Sequence, residues 1–382
     1  MLTSLFCSHN GSLKYNSGVH RLVRPTREVR RTLRGTRERC LDIRQHSWSA
    51  DYRVCFDSNV RHTRFTSRLV DRIGRDSNSA LVFFVFASVA ITCLASRVVF
   101  AQVETLSFET PYNHITIERA GSVVEMRSLW RRRLYRESAV DLNDPAQLIV
   151  PYTRAIAASA MFHPKPSHAL MIGLGGGGFN QFFEKAFPST TLDTVEIDSK
   201  VCELAQKYLG FKPSERNKVK VLDGRMFLRH SKTIYDWIIL DAFRGGFVPP
   251  HLKTVEFYKL AQSHLAPDGL FVANVRTDSS LLPADVRTLQ QVFPQLGMFD
   301  VPQTENAVLV AANFNQPTLE EMARTAGHLT FSKVFRHSVD PVAAAKSFHP
   351  VVSELSKRAP ILTDDFAPTE FLDAVKMKQT AR

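Results

Sequence analysis

Cysteine is scarce in this chain, and its placement argues against a disulfide-built or zinc-built domain. Only five of the 382 residues are cysteine, and Cys7, Cys40, Cys55 and Cys93 all precede the globular part of the sequence. Cys202 has no partner there for an internal disulfide, so we interpret it as a buried structural thiol. No Cys-x-x-Cys pair and no cysteine and histidine cluster occurs, so the sequence predicts no metal site.

An uncharged, mostly apolar run over residues 80–95 is short for a membrane span. Its 16 residues would extend roughly 24 Å as a helix, against a hydrocarbon core of about 30 Å. Basic residues precede the run, and small or branched residues lead to Ala101. Residues 80–101 are therefore predicted to be a cleavable signal or a single transmembrane segment. Membrane association or export follows from this prediction, and a cytoplasmic location follows if the segment is not a functional signal.

Positive charge is concentrated in the first 79 residues. They hold 16 arginine and lysine residues against 7 acidic ones, out of a net charge of +12 for the whole chain. The nearly neutral body gives no reason to expect a nucleic-acid partner. We interpret residues 1–79 as a disordered leader or as sequence upstream of the true start. The acidic residues argue against an organellar transit peptide.

The body of the chain divides by pattern into a small β-rich domain, 102–163, and a larger domain, 164–375. Alternating runs at 114–118 and 123–126 flank a turn at 120–122, which predicts a β-hairpin. Downstream, apolar runs alternate with amphipathic ones, which predicts a doubly wound, mostly parallel α/β sheet of the Rossmann-like kind. The predicted strands are 168–173, 192–197, 219–222, 236–241 and 270–275, and the helices are 179–187, 200–209, 225–230 and 254–265.

A glycine-rich turn follows the first of these strands. Gly173, Gly175 and Gly178 are spaced as in a dinucleotide-binding loop, and Glu196 ends the next strand 18 residues later. A carboxylate at that distance can accept hydrogen bonds from both ribose hydroxyls. No Gly-Lys-Ser/Thr follows the glycines, which excludes a phosphate-binding P-loop. The pattern favours an adenosine-type cofactor.

Two further acids shift this prediction from NAD to an S-adenosylmethionine-type ligand. Asp223, followed by Gly224, ends the third strand, and Asp241 ends the fourth. Acids at the carboxyl ends of adjacent strands line the cofactor crevice of such sheets. Taken singly, each aspartate is equally explained as a turn or helix-capping residue.

These motifs together resemble the spermidine synthase, or polyamine aminopropyltransferase, family. The similarity runs from about residue 108 to 370, and the segment Leu362-Thr-Asp-Asp-Phe resembles bacterial relatives that are fused to membrane segments. The resemblance implies an S-adenosylmethionine-dependent methyltransferase fold, a homodimer, and a decarboxylated S-adenosylmethionine or S-adenosylmethionine cofactor without a metal. It also implies that Asp241 is the catalytic base, and that Asn113 and Asp198 contact the cofactor.

The sequence departs from the family pattern around the acceptor. Gly176 stands where the family's glycine loop carries an aspartate, and Arg244 stands where a second aspartate follows the base. The family's Tyr-x-Glu reads Tyr152-Thr-Arg154, so Tyr152 and Arg244 are predicted to line the substrate pocket. Cations at these positions would disfavour a diamine.

Three functions remain open at this stage. The first is aminopropyl transfer to an amine in polyamine biosynthesis, and the second is methyl transfer to a neutral or anionic small molecule. The third is a membrane-tethered binding protein with a degenerate pocket. An NAD-dependent oxidoreductase is disfavoured because no hydride-transfer pair is evident; His251 and His264 are interpreted as loop or helix-surface residues. The acceptor, the start codon, the topology and the oligomeric state are not determined by the sequence.

Overall fold

The chain forms two units, residues 1–98 and 99–382. The computed structural model describes residues 6–7, 13–14, 38–43, 52–57, 104–130, 132–315, 319–351 and 356–374. In the first unit, β1 (Phe6–Cys7) pairs with β2 (Leu13–Lys14), and β3 (Glu38–Ile43) pairs with β4 (Tyr52–Asp57), both antiparallel. The predicted apolar segment 80–101 lies outside the described residues. The residues of 1–79 that are not part of β1 to β4 also lie outside them. No helix in the described ranges is long and apolar enough to cross a membrane.

The second unit begins with a four-stranded antiparallel sheet. Its strands pair in chain order: β5 (Glu104–Glu109), β6 (His114–Ala120), β7 (Val123–Trp130) and β8 (Arg133–Asp141). Alternate residues of β7 are buried, including Val124 and Met126, because successive side chains of a strand point to opposite faces. The predicted hairpin at 114–126 is confirmed.

An eight-stranded sheet and its helices form the rest of the unit. The strands are β9 (His168–Ile172), β10 (Thr191–Glu196), β11 (Asn217–Val221), β12 (Tyr235–Leu240), β13 (Leu265–Arg276), β14 (Gln295–Asp300), β15 (Asn306–Ala312) and β16 (Phe348–Pro350). The helices are α1 (Pro151–Ala158), α2 (Gly178–Ala186), α3 (Ser199–Tyr208), α4 (Gly224–His230), α5 (Val255–Ser263), α6 (Leu281–Gln290), α7 (Leu319–Ala326), α8 (Lys333–Ser338), α9 (Pro341–Ser347) and α10 (Thr369–Ala374). Short 3₁₀ turns occur at Ser159–Met161 and Pro250–Leu252.

The strand order of this sheet is β11-β10-β9-β12-β13-β15-β14-β16. The first five strands are mutually parallel, and the last three join antiparallel. The order reverses between β9 and β12, so the carboxyl ends of these two strands open a crevice where α/β sheets bind ligands. The predicted doubly wound, mostly parallel sheet is thus confirmed. Both sheets belong to the unit 99–382, and the predicted division into 102–163 and 164–375 stays a prediction.

Each face of the large sheet is covered by an apolar cluster. On one face, the aromatic side chains of α2 pack against Trp237 and Phe335, and Phe182 and Phe183 are almost fully buried. The other face buries residues of α5 and α6, including Phe257 and Leu289.

Candidate active site

A cavity of about 320 Å³ lies at the switch point of the large sheet. Its walls include the ends of β9, β10 and β12, the loop before β6, and the 3₁₀ turn at Pro250–Leu252. Most of the predicted site residues line this cavity: Asn113, Tyr152, Gly173, Gly175, Glu196, Asp198, Asp223, Gly224, Asp241 and Arg244. Gly178 does not line it; a Cβ there would lie 3.1 Å from Val140 Cγ2, so this glycine serves close packing of α2 on β8.

The glycine turn brings the backbone of β9 against that of β12. Gly173 has φ +103°, and a Cβ at this position would lie 2.1 Å from the carbonyl oxygen of Asp241. A side chain is therefore excluded on two grounds, strain and backbone overlap. Gly177, with φ +71°, caps the amino terminus of α2. The turn leaves an open backbone surface directly beside Asp241.

Glu196 is held rigidly at the end of β10. Its Oε2 accepts a hydrogen bond from Leu174 N at 3.0 Å, and its Oε1 accepts one from Asp198 N at 2.9 Å. Burial raises the pKa of this carboxyl, although the backbone hydrogen bonds oppose the shift. Each oxygen retains a second lone pair, so the fixed carboxylate can accept two neighbouring hydroxyl groups.

Asp198 caps helix α3 with one oxygen and leaves the other available. Its Oδ1 accepts a hydrogen bond from Lys200 N at 2.9 Å. Its Oδ2 is buried and has no hydrogen-bond partner among the described residues. A buried unsatisfied oxygen at the wall of a cavity can accept a hydrogen bond from a bound molecule or from water.

Asp223 and Gly224 form the opposite end of the cavity. Asp223 caps α4 by accepting from Met226 N at 2.9 Å, and its Oδ2 lies 2.7 Å from His251 Nε2. Burial would raise the pKa of Asp223, but the bonds to His251 and Met226 outweigh it and lower the pKa. A Cβ at Gly224 would lie 2.4 Å from Ile172 Cγ2, so only glycine fits here without displacing β9. His251, interpreted from sequence as a loop residue, thus belongs to the site.

Asp364, in the carboxyl-terminal segment, contacts the elements that form this end of the cavity. Arg225, the residue after Gly224, forms a two-pronged ion pair with Asp364 at 2.6 and 2.5 Å and also donates to the His251 carbonyl at 3.2 Å. Thr254 Oγ1 donates to the same aspartate at 2.8 Å. The segment therefore links α4 to the turn that carries His251.

Asp241 is enclosed at the inner end of the cavity. Its Oδ1 accepts from Asn274 Nδ2 at 2.9 Å, and Asn274 in turn accepts from Asn306 at 3.0 Å. Burial raises the pKa of Asp241 to about 6, with hydrogen bonds from Asn274 and Tyr152 acting in the opposite direction. This carboxyl is ionised at neutral pH yet close enough to titration to accept a proton.

Glu137 on β8 is a second carboxyl beside Asp241 that the sequence analysis did not identify. Ser128 Oγ donates to Glu137 Oε1, and the Tyr152 hydroxyl donates to the Glu137 carbonyl at 3.0 Å. Burial raises the pKa of Glu137 to about 8, and the charges of Asp241 and Glu196 push it in the same direction. Glu137 lines the cavity together with Tyr152 and Asp241.

Comparison with known proteins identifies the family. A family model described as the spermine/spermidine synthase domain matches residues 150–302. A polyamine aminopropyltransferase from Vibrio vulnificus is 31% identical over 247 residues, which are 62% of this chain and 81% of that protein. This chain belongs to the spermine/spermidine synthase family. The family resemblance predicted from the motifs is confirmed, and the chain is accordingly an enzyme of the transferase class.

Two other similarities are to a solved structure and to a methyltransferase sequence. The solved structure of a probable spermidine synthase from Corynebacterium glutamicum matches with a TM-score of 0.56 at 20% identity, covering 69% of this chain and 98% of that one. This likeness shows the fold. An eEF1A lysine and N-terminal methyltransferase from Bos taurus is 31% identical over 176 residues, which are 42% of this chain and 25% of that protein.

The three departures from the spermidine synthase pattern lie at different places relative to the cavity. Arg154 is exposed, donates to the Leu148 carbonyl at 2.7 Å, and lines neither this cavity nor the one adjoining it. The expectation that it opposes a cationic acceptor is therefore wrong. Arg244 lies at the cavity wall, but its Nε donates to the Tyr112 carbonyl at 2.9 Å. Gly176 does not line the cavity, and a Cβ there would lie 2.3 Å from Leu209 Cδ2.

Among the residues that the structure describes, no three His, Cys, Asp or Glu side chains are grouped so as to hold a metal ion.

Proposed function

We propose that this member of the spermine/spermidine synthase family transfers an aminopropyl group from an adenosyl sulfonium donor to an amine. The observation that carries the proposal is Asp241, a half-buried carboxyl that lines the cavity beside Gly173 and has a pKa of about 6. A carboxylate at that position can remove a proton from an incoming amine.

The cavity residues fit an adenosyl ligand. Glu196 has two fixed oxygens for the ribose hydroxyls, and Asp198 Oδ2, which has no hydrogen-bond partner among the described residues, can accept from the same ligand. At the other end, Asp223 and Gly224 would hold the adenine. Asn113 and the backbone of Gly173 and Gly175 would hold the remainder of the donor.

The chain's own residues would act mainly by position and by proton transfer. The donor supplies an alkyl carbon that its sulfonium group already activates for displacement. Asn274 fixes the Asp241 carboxylate, which would take a proton from the acceptor ammonium and so free the nitrogen lone pair for attack. Holding both reactants in one cavity would supply the remaining rate acceleration, because a fixed geometry replaces a bimolecular encounter.

A second candidate function is methyl transfer from intact S-adenosylmethionine. It is favoured by Gly176, which puts no carboxylate where spermidine synthases have one in the glycine loop, and by the partial similarity to a methyltransferase. Without that carboxylate, the carboxylate of intact S-adenosylmethionine meets no like charge from the loop. An aspartate introduced at position 176 would also have to displace Leu209.

Calorimetric titration of the full chain distinguishes these functions. Preferential binding of decarboxylated S-adenosylmethionine, with aminopropylated product formed from an amine, supports the first proposal. Preference for intact S-adenosylmethionine with methylated product supports the second. Binding of neither ligand contradicts both and leaves a binding protein with a degenerate pocket.

A pair of matched variants tests the site itself. Glu196→Gln removes the charge that the ribose hydroxyls would meet, so we expect affinity for the adenosyl ligand to fall about tenfold or more. Glu203→Gln, on the exposed side of the neighbouring helix α3, should leave affinity unchanged. Equal affinity in both variants contradicts the assignment of Glu196.

A further inference from the structure

A second cavity, of about 590 Å³, adjoins the first; we refer to it as the outer chamber. The two cavities share Glu137, Tyr152 and Phe243 in their walls. This junction lies beside Asp241, the residue that would remove the acceptor's proton. An acceptor whose nitrogen reaches the junction therefore extends its remaining atoms into the outer chamber.

The walls of the outer chamber are rich in guanidinium groups. Four arginines line it: Arg127, Arg133, Arg136 and Arg276. Arg276 is only 11% exposed and is fully engaged, because it bonds to Asp278, Glu305 and the Gly246 carbonyl. It also lies over the Tyr135 ring at 5.1 Å. Arg276 therefore supports the wall and does not offer free donors.

Two of these arginines present unused donors. Arg133 is 50% exposed and bonds through Nη2 alone to Glu305 at 2.9 Å, and its guanidinium lies over Tyr135 at 5.0 Å. Arg136 is 45% exposed and pairs through Nε alone with Glu125 at 3.2 Å. Within the described part of the chain, the remaining N–H groups of both side chains have no hydrogen-bond partner. A guanidinium has five donors and no acceptor, so Arg133 and Arg136 each keep N–H groups available to an acceptor in the chamber.

A diamine is a poor match to this arrangement. A second ammonium group in the outer chamber would lie close to the like charges of Arg133 and Arg136. The junction itself suits a single ammonium. With pKa values of about 6 and about 8, Asp241 and Glu137 together carry about one negative charge near neutral pH.

We propose that the acceptor is an amine that also carries an oxyanion, with its amino group at Glu137 and Asp241 and its oxyanion at Arg133 and Arg136. This inference rests on the proposed aminopropyl transfer and names its substrate class. A carboxylate is the simplest such oxyanion, since guanidinium groups bind it through paired, charge-assisted hydrogen bonds.

The transfer balances without another reactant. The acceptor ammonium gives one proton to Asp241, and the freed nitrogen lone pair forms the new N–C bond to the aminopropyl carbon. The C–S bond breaks with its electron pair remaining on sulfur, which leaves a neutral thioether. The product is a secondary ammonium that keeps its oxyanion, and the one proton released is the one that Asp241 passes to solvent.

Matched acceptors test the proposal with the full chain and decarboxylated S-adenosylmethionine. We compare ω-amino acids of four to six carbons with diamines of equal length, for example 4-aminobutanoate with 1,4-diaminobutane. The expected result is a kcat/KM at least about tenfold higher for one or more amino acids than for the matched diamine. Equal or higher values for the diamines overturn the inference and leave the proposed function standing. Donor binding without transfer to either series overturns the proposed function itself.

A matched pair of arginine variants provides a second readout. Arg136→Gln should raise KM for the amino acid about tenfold, with kcat within about twofold and no increase in KM for the diamine. Arg154→Gln, which removes an exposed arginine outside both cavities, should change neither KM. An equal rise in KM for both acceptors in Arg136→Gln would show a general structural effect and overturn the assignment.

Discussion

Replacing Glu137 by glutamine should stabilise the protein at neutral and alkaline pH. Burial raises the pKa of this carboxyl from 4.5 to about 8. Between these values the folded protein keeps a proton that the unfolded chain releases, so the free energy of unfolding falls as the pH rises. The contribution is lost progressively above about pH 4.5 and levels off above about pH 8.

The size of the effect follows from the shift. Each pKa unit corresponds to about 1.4 kcal/mol. Because pH 7 lies about 2.5 units above the pKa of Glu137 in the unfolded chain, the stability lost by pH 7 is about 3 kcal/mol. Water in the two adjoining cavities screens part of this, so we expect a gain of about 2–3 kcal/mol for Glu137→Gln at pH 7 relative to about pH 4.5. Glutamine still offers Ser128 a hydrogen-bond acceptor and carries no charge at any pH.

Urea unfolding at a series of pH values measures this directly. The difference in unfolding free energy between Glu137→Gln and the original chain should widen steadily from about pH 5 to about pH 8. Glu320→Gln, at an exposed position on α7, should stay within about 0.5 kcal/mol of the original chain throughout. A difference for Glu137→Gln that does not vary with pH would refute the assignment of a buried, proton-holding carboxyl. The same variant should lose affinity for the acceptor amine.

Three further predictions concern the remainder of the site. Asp241→Asn should lower kcat by about 10²–10⁴ with little change in donor affinity, and in the original chain kcat/KM should rise with pH through about 6; a pH-independent rate below this value would contradict a base at this position. Gly173→Ala should destabilise the fold by more than about 3 kcal/mol, because its Cβ would lie 2.1 Å from a carbonyl oxygen, and near-normal thermal unfolding would refute that contact. Asp364→Asn should weaken adenosyl-ligand binding by about two- to fivefold through Arg225, measured by calorimetry; unchanged affinity would show that the tail does not position the site.

The parallel sheet could be predicted from sequence because its central strands β9 and β12 are buried on both faces. Apolar runs such as 168–172 and 235–240 are short, continuous and bounded by turns, and amphipathic helices separate them. Once the strands are assigned, the positions of the glycine turn and of the acids at the strand ends can be read directly from the sequence. The antiparallel edge β15-β14-β16 was not predicted, since its connections carry no comparable motif.

Glu137 was missed because its surroundings come from distant segments. In the run Tyr-Arg-Glu-Ser-Ala it reads as one more polar residue of a half-exposed strand. Its position is set by the glycine turn, where Gly175 and Gly176 lie against β8, and by Asp241, more than a hundred residues later. The local hydrophobic pattern of the sequence cannot predict a contact between Glu137 and residues so distant along the chain.

Arg154 illustrates the converse error. The resemblance put Arg154 in the acceptor pocket two residues after Tyr152, but both residues lie on helix α1. Residues two apart on a helix do not share a face. Tyr152 is buried toward Asp241, so Arg154 is directed to solvent.

The ion pair between Arg225 and Asp364 has a consequence for synthesis on the ribosome. The two residues are 139 positions apart, so at about 5–20 residues per second the nascent chain makes Arg225 roughly 7–28 s before its partner. By the end of that interval, strands β9 to β13 have been made in order. The turn carrying His251 still lacks its link to Asp364. The site therefore lacks the Arg225–Asp364 ion pair until Asp364 has been made.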